Sequence, residues 1–122
     1  MNVNDLEDRV KAYFASNPIK NGGNTWTVYD SRRVLAGLDI RAVVAEIESR
    51  RLMSGISKTV RFRVSGQARG TQDSVESVLT TFREGLAKID GVRVGGHRYR
   101  RGLADAKGNV YDETTVEVST GA

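Results

Sequence analysis

Apolar residues recur at helical spacing most clearly over residues 73–89, where Val75, Val78, Leu79, Phe82, Leu86 and Ile89 form one stripe. Asp73 and Glu76 have capping-box spacing, and Gly91 stands where a left-handed residue commonly ends a helix. A second helix is predicted from Asn4 to about Ser16, with Asn4 and Glu7 as its capping pair and Leu6, Val10, Tyr13 and Phe14 on one face. Asn17-Pro18 ends it, because the residue before a proline avoids helical torsions. Ile19 to Asn24, with Gly22-Gly23, reads as a flexible loop.

The remaining apolar pattern has a period of two. Thr25–Tyr29 and Thr59–Val64 are strand-like in composition, the second with strict alternation. Asp30 to Asp39 has no clear period and reads as a loop or irregular edge. Residues 40–53 admit two readings. Asp39 as cap and Gly55 as stop would frame a helix, whereas Val43, Ala45 and Ile47 alternate with Val44, Glu46 and Glu48 as in a half-buried strand. The adjoining strand favours the second reading, with 41–50 and 59–64 joined through a Ser54-Gly55 turn into a long hairpin.

Beyond the main helix, Val92–Arg101 reads as a strand with a bulge or close backbone approach at Gly95-Gly96. Asp105–Asn109 is a polar turn. Val110–Ser119 closes the chain as a strand with Thr114, Val116 and Val118 on one face, and 120–122 are expected to fray. The expected fold is α+β: a mostly antiparallel sheet with a long hairpin, covered on one face by two helices, in a single domain over 1–122.

Charge changes this picture more than composition does. The formal net charge is +4, but the bases are clustered. Residues 49–72 hold Arg50, Arg51, Lys58, Arg61, Arg63 and Arg69 without an acid, and 91–104 hold Arg93, Arg98, Arg100 and Arg101 without one. Such clustering suits contact with nucleic acid or with an acidic protein surface, and equally a solvated face. There is no cysteine, so disulfide and thiolate-metal chemistry are excluded. The longest apolar run is the four residues Ala42–Ala45, too short for a membrane-spanning helix, and the polar, acidic start does not read as a signal peptide.

No constellation points to catalysis. His97 is the sole histidine and sits in a basic strand, which favours a surface role. No metal-ligand spacing, phosphate loop or dinucleotide fingerprint is present, so no cofactor, metal or catalytic residue is assigned and the protein is expected not to be an enzyme. Glu46 and Glu48, on the same side of a regular strand, read as salt-bridge partners for the arginines opposite. The candidate subunit or partner interface is therefore Arg50, Arg51, Arg61, Arg63, Arg98, Arg100 and Arg101 with Glu46 and Glu48. Arginine beside tyrosine, as at Tyr99, serves both phosphate binding and protein–protein contacts.

The order of these segments resembles the tail terminator (tail completion) proteins of long-tailed bacteriophages of the lambda-like group. A short helix is followed by Thr-Val-Tyr-Asp, Asp-Ile-Arg-Ala-Val-Val-Ala and Thr-Val-Arg-Phe-Arg-Val strands; an amphipathic helix, His-Arg-Tyr-Arg-Arg and Tyr-Asp-Glu-Thr-Thr-Val-Glu-Val then follow. The resemblance spans roughly Leu6 to Val118 and rests on order and local patterns. It implies a non-enzymatic virion protein forming a homo-oligomeric, hexameric ring at the head-proximal end of the tail tube. The implied partners are the major tail tube protein and head completion or connector proteins, with the genome DNA passing through the lumen without specific binding and no membrane involved. It places the protein in the virion neck, and in the host cytoplasm during assembly. A basic subunit is unexpected in a DNA conduit, so the resemblance puts the arginines at protein contacts, where Glu46, Glu48, Asp112 and Glu117 meet them. It also implies that the 41–65 hairpin supplies a contact between neighbours. A head completion (stopper or adaptor) protein and a small basic nucleic-acid-binding module, with Arg98–Arg101 and Arg61/Arg63 as its footprint, are the alternatives.

Overall fold

A computed structural model describes residues 1–51, 58–70 and 73–121, with side chains for all of these except 48–51, 58, 59, 73 and 121. The elements are α1 (Val3–Ser16), β1 (Ile19–Asn21), β2 (Asn24–Tyr29), β3 (Asp39–Arg51), β4 (Lys58–Arg69), α2 (Asp73–Leu86), β5 (Val92–Ala104) and β6 (Val110–Gly121). The fold is α+β, with two helices and one curled six-stranded sheet in the order β1-β2-β3-β4-β6-β5. All neighbouring pairs are antiparallel except β2 with β3, which is parallel.

α1 starts two residues earlier than the Asn4–Glu7 pair predicts. Asn2 is the cap, accepting from the Asp5 amide at 2.8 Å while the Asp5 carboxylate accepts from the Asn2 amide at 3.1 Å. The shift of frame still buries Leu6, Val10 and Phe14. Asn17-Pro18 ends the helix as expected, with both Asn17 nitrogens donating to the Tyr13 carbonyl. Ile19–Asn24 is not a flexible loop. Gly22 and Gly23 take φ of 58° and 83°, the paired left-handed torsions of a tight hairpin turn, and join β1 to β2.

Residues 39–51 form a strand, not a helix, but the buried parity is the reverse of the one its β-branched residues suggest. Ile40, Ala42 and Val44 are in the core, whereas Ile47 is 39% exposed. β4 and β6 bury Phe62, Val64 and Ala68, and Val116 and Val118, in the same cluster. The Ser54-Gly55 turn lies outside the described residues. β4 also runs beyond Val64, the predicted end, through Gly66 to Arg69. Gly66 is a close-approach position: a Cβ there would lie 2.5 Å from the Phe82 ring.

α2 ends at Leu86, three residues short of the predicted stripe. Ile89 lies in the following turn and remains buried, and Gly91 has the expected positive φ. Val75, Val78, Leu79, Phe82 and Leu86 all join the core. Phe82 stacks on Phe14 of α1, with ring centroids 5.1 Å apart. The capping role of Asp73 lies outside the described side chains. β6 carries on through Thr120, which is buried rather than frayed, because Val60 and Val92 flank it across the sheet.

Candidate functional site

On β3, β4 and β6, the residues between core positions form the second face of the sheet, and the register sets them in rows. Arg41, Gln67, Glu113 and Arg100 lie in one row across β3, β4, β6 and β5. Val43, Ser65, Thr115 and Arg98 form the next; Ala45, Arg63 and Glu117 the third; and Arg61, Ser119 and Arg93 the fourth. Among the described side chains these four rows carry six arginines and two carboxylates, and Arg69, opposite Tyr111, continues the same alternation.

The first row is a continuous hydrogen-bonded network. Arg41 Nε donates to Gln67 Oε1 at 2.7 Å, and Gln67 Nε2 donates to Glu113 Oε2 at 2.7 Å. Glu113 Oε1 takes the Arg100 guanidinium and the Thr115 hydroxyl, which also meets Ser65 at 3.3 Å. Burial pushes the Glu113 carboxyl up, but the Gln67 amide and the Arg100 guanidinium outweigh it and hold the group below its ordinary value. Among the described residues no buried side-chain nitrogen or oxygen lacks a partner. The network therefore stiffens the sheet and leaves Arg41 and Arg100 committed within the chain.

The rows farther along are open. Arg61 pairs with Glu117 at 3.0 Å. Arg63, Arg93 and Arg98 are exposed and, among the described residues, have no ion pair. Two shallow depressions that share Glu117 run between them. One, about 380 Å³, is lined by Arg63, Gly96, His97, Arg98, Thr115 and Glu117. The other, about 260 Å³, is bounded by Arg61, Arg93, Gly95 and Ser119. A bulge lies between Val94 and His97, as Gly95-Gly96 predicts.

Arg61, Arg63, Arg98 and Arg100 are thus brought to one face. Arg101 lies off it, donating to Glu76 of α2 at 2.5 Å with its guanidinium 5.4 Å from the Tyr99 ring centre. The register slips by one residue between Glu46 and Glu48, so Glu46 stands opposite Phe62 and Glu48 opposite Arg61. The regular alternation behind the expectation of both glutamates on one side is thus interrupted at Ile47. The side chains of Glu48, Arg50 and Arg51 lie outside the described part. Asp112 is not available to any arginine at an interface. It is buried, accepting from the Tyr99 hydroxyl at 2.8 Å and from the Gly102 amide at 3.0 Å. Burial, and then the Asp112 carboxylate, push the Tyr99 phenol well above its ordinary range.

Arg41, Gln67 and Glu113, and Arg93 of the basic 91–104 cluster, are absent from the candidate interface read from the sequence, though all four follow from the period of two once strand order is known. A second charged cluster clasps the 30–38 loop: Asp30 accepts from Arg32 and Lys11, and Asp39 from Arg33, whose guanidinium lies 4.1 Å from the Tyr29 ring centre. Among the described residues no group of three potential metal ligands occurs, and no helix is long and apolar enough to cross a membrane. No protein-family model matches the chain, and no curated protein matches it.

Proposed function

We propose that this chain is a structural assembly subunit, a tail terminator of a long-tailed bacteriophage. Copies of it form a ring that caps the head-proximal end of the tail tube, ends its polymerisation and presents a surface to the head. In this reading the two helices make one layer over the apolar face of the sheet, β3 and β4 are a single long hairpin, and the chemistry is non-enzymatic. Its place is the virion neck, after assembly in the host cytoplasm, and the DNA crosses the lumen without specific contact.

The observation that carries the reading is the outer edge of β3. β2 pairs with Asp39–Arg41 only, and among the described residues no strand lies beside β3 from Ala42 onward. That stretch begins with the apolar run Ala42–Ala45. A long strand edge of this kind is an aggregation hazard unless a neighbour occupies it, and a repeated heterologous contact closing into a ring occupies every such edge. Mixing the purified protein with tail tubes tests the proposal. Rings at one tube end and arrested tube growth are expected, and tubes that lengthen unchanged and uncapped would count against it.

A head completion protein of the same neck assembly would share these features, and the end of the tube that binds the ring separates the two. The second reading, a basic nucleic-acid-binding module, draws on the unpaired Arg63, Arg93 and Arg98. Affinity for DNA that falls steeply with salt is its mark.

A further inference from the structure

The two sides of the molecule differ in charge. The sheet face carries Arg41, Arg61, Arg63, Arg69, Arg93, Arg98 and Arg100, and its central rows carry Glu113 and Glu117. The helical segments 3–16 and 73–90 carry seven acids against four bases. Glu7 and Asp8 of α1, Glu84 of α2 and Asp90 just beyond it have no ion pair among the described residues. Arg9, Arg83 and Lys88 stand among these acids, also without an ion pair among the described residues, so the contrast between the two sides is one of net charge, basic against acidic.

Gly95 and Gly96 add an independent observation. Neither has a positive φ. A Cβ on Gly96 would meet nothing within 4 Å, and one on Gly95 would make only ordinary contact with Glu117. Neither sterics nor a positive φ requires glycine at either position; both lie in the bulge between Val94 and His97 and beside the depressions between the unpaired arginines. The bulge is one reason for glycine here, and the bare backbone it leaves beside the depressions is also open to close approach by another backbone.

We propose that the groove around Gly95-Gly96, walled by Arg63, Arg93 and Arg98, seats the acidic helical side of a second copy of this chain, front to back. Like charges forbid the symmetric alternative, since pairing two sheet faces would set arginines against arginines. A front-to-back contact is heterologous and propagates into a ring if its rotation closes. Nucleic acid fits the groove less well. Glu117 stands between the depressions, and Tyr99 lies opposite Thr114 at the core parity, so that among the described side chains of β5 only the His97 ring is left beside the groove for stacking. The proposal rests on the assembly reading above, and it names the surfaces that meet.

The chain has no cysteine, which makes a cross-linking test clean. In the full chain carrying Asp8→Cys and Gly96→Cys, a short bis-maleimide is expected to produce covalent multiples of the protein, and only uncoupled or internally bridged monomer would overturn the contact. Introducing Arg63→Glu with Arg98→Glu, or Glu7→Lys with Glu84→Lys, is expected to reduce those multiples by about tenfold or more. Mixing the two charge-reversed proteins restores complementary faces, so cross-linking should return. Unchanged cross-linking in either variant alone, or no recovery on mixing, overturns the proposal. Cross-linking that responds in this way, in a protein that nevertheless fails to cap tail tubes, keeps the contact and removes the terminator role instead.

Discussion

Phe82 is fully buried and lies against the bare backbone of Gly66 on one side and the Phe14 ring on the other. Truncating it to alanine is expected to cost about 3–5 kcal/mol in urea unfolding, from lost transfer energy and the cavity left behind. Gly66→Ala attacks the same contact from the other side. A Cβ 2.5 Å from a ring held between two elements cannot be relieved by a rotamer change alone, so overpacking is expected to cost about 1–3 kcal/mol. Gly96→Ala is the control: it removes unfolded-chain entropy without a clash, so the free chain should gain about 0.5–1 kcal/mol. Charge at single residues sets the response to acid. The Arg32 guanidinium and amide hold the Asp30 carboxyl down to about 2 from its ordinary 3.8. With the folded value the lower one, its contribution is present above pH 3.8 and is lost as pH falls through about 2. Stability measured between pH 5 and pH 2 should therefore fall less steeply in Asp30→Asn than in wild type.

Among the elements, those with a strict period and one partner face were readable in advance: α2, the alternating part of β4, β6 and the Gly95-Gly96 bulge. What escaped depended on tertiary pairing. Ile19–Asn21 is too short to show a period, and becomes a strand only because a two-glycine turn folds it onto β2. The buried parity of β3 was hidden because Ala42 and Val43 are both apolar, and the decision falls to which residue meets the core. The arginine face was readable in part, since Arg61 with Arg63 and Arg98 with Arg100 are two residues apart in sequence. The row from Arg41 through Gln67 and Glu113 to Arg100 needs the strand order, in which β6 inserts between β4 and β5. β5 illustrates how such an element is held. It is an outermost strand with two bulges, and the far one, between Arg100 and Leu103, is fastened by Asp112 through Tyr99 and Gly102. Asp112→Ala would strand the Tyr99 hydroxyl and the Gly102 amide, at about 1–3 kcal/mol for each group left without a partner. Loss of amide-exchange protection concentrated at 99–103, rather than spread over the sheet, is the expected signature.

For the whole molecule, the question is what the uneven charge is for, and ionic strength separates the two answers. Suppose Arg63, Arg93 and Arg98 each neutralised one phosphate of duplex DNA. The binding constant would then scale as the salt concentration to a power of about −2.7, so raising salt from 50 to 200 mM would weaken binding about fortyfold. Replacing those arginines would flatten that slope toward zero. If instead they face carboxylates of a neighbouring copy, the free chain is expected to bind DNA feebly, because Glu117 sits among them and Arg61 is already paired with it. Assembly would then be the salt-sensitive property, and only partly so. The apolar edge of β3 from Ala42 to Ala45 contributes by area burial, which salt does not screen. Fluorescence anisotropy with a short labelled duplex, run beside sedimentation of the same samples, reads both properties at once. The expected result is weak anisotropy change at every salt concentration and assembly that weakens with salt without vanishing. Tight DNA binding with a slope near −2.7, flattened by Arg63→Ala, Arg93→Ala and Arg98→Ala, would turn the arginine face from a seat for a neighbour into a nucleic-acid footprint.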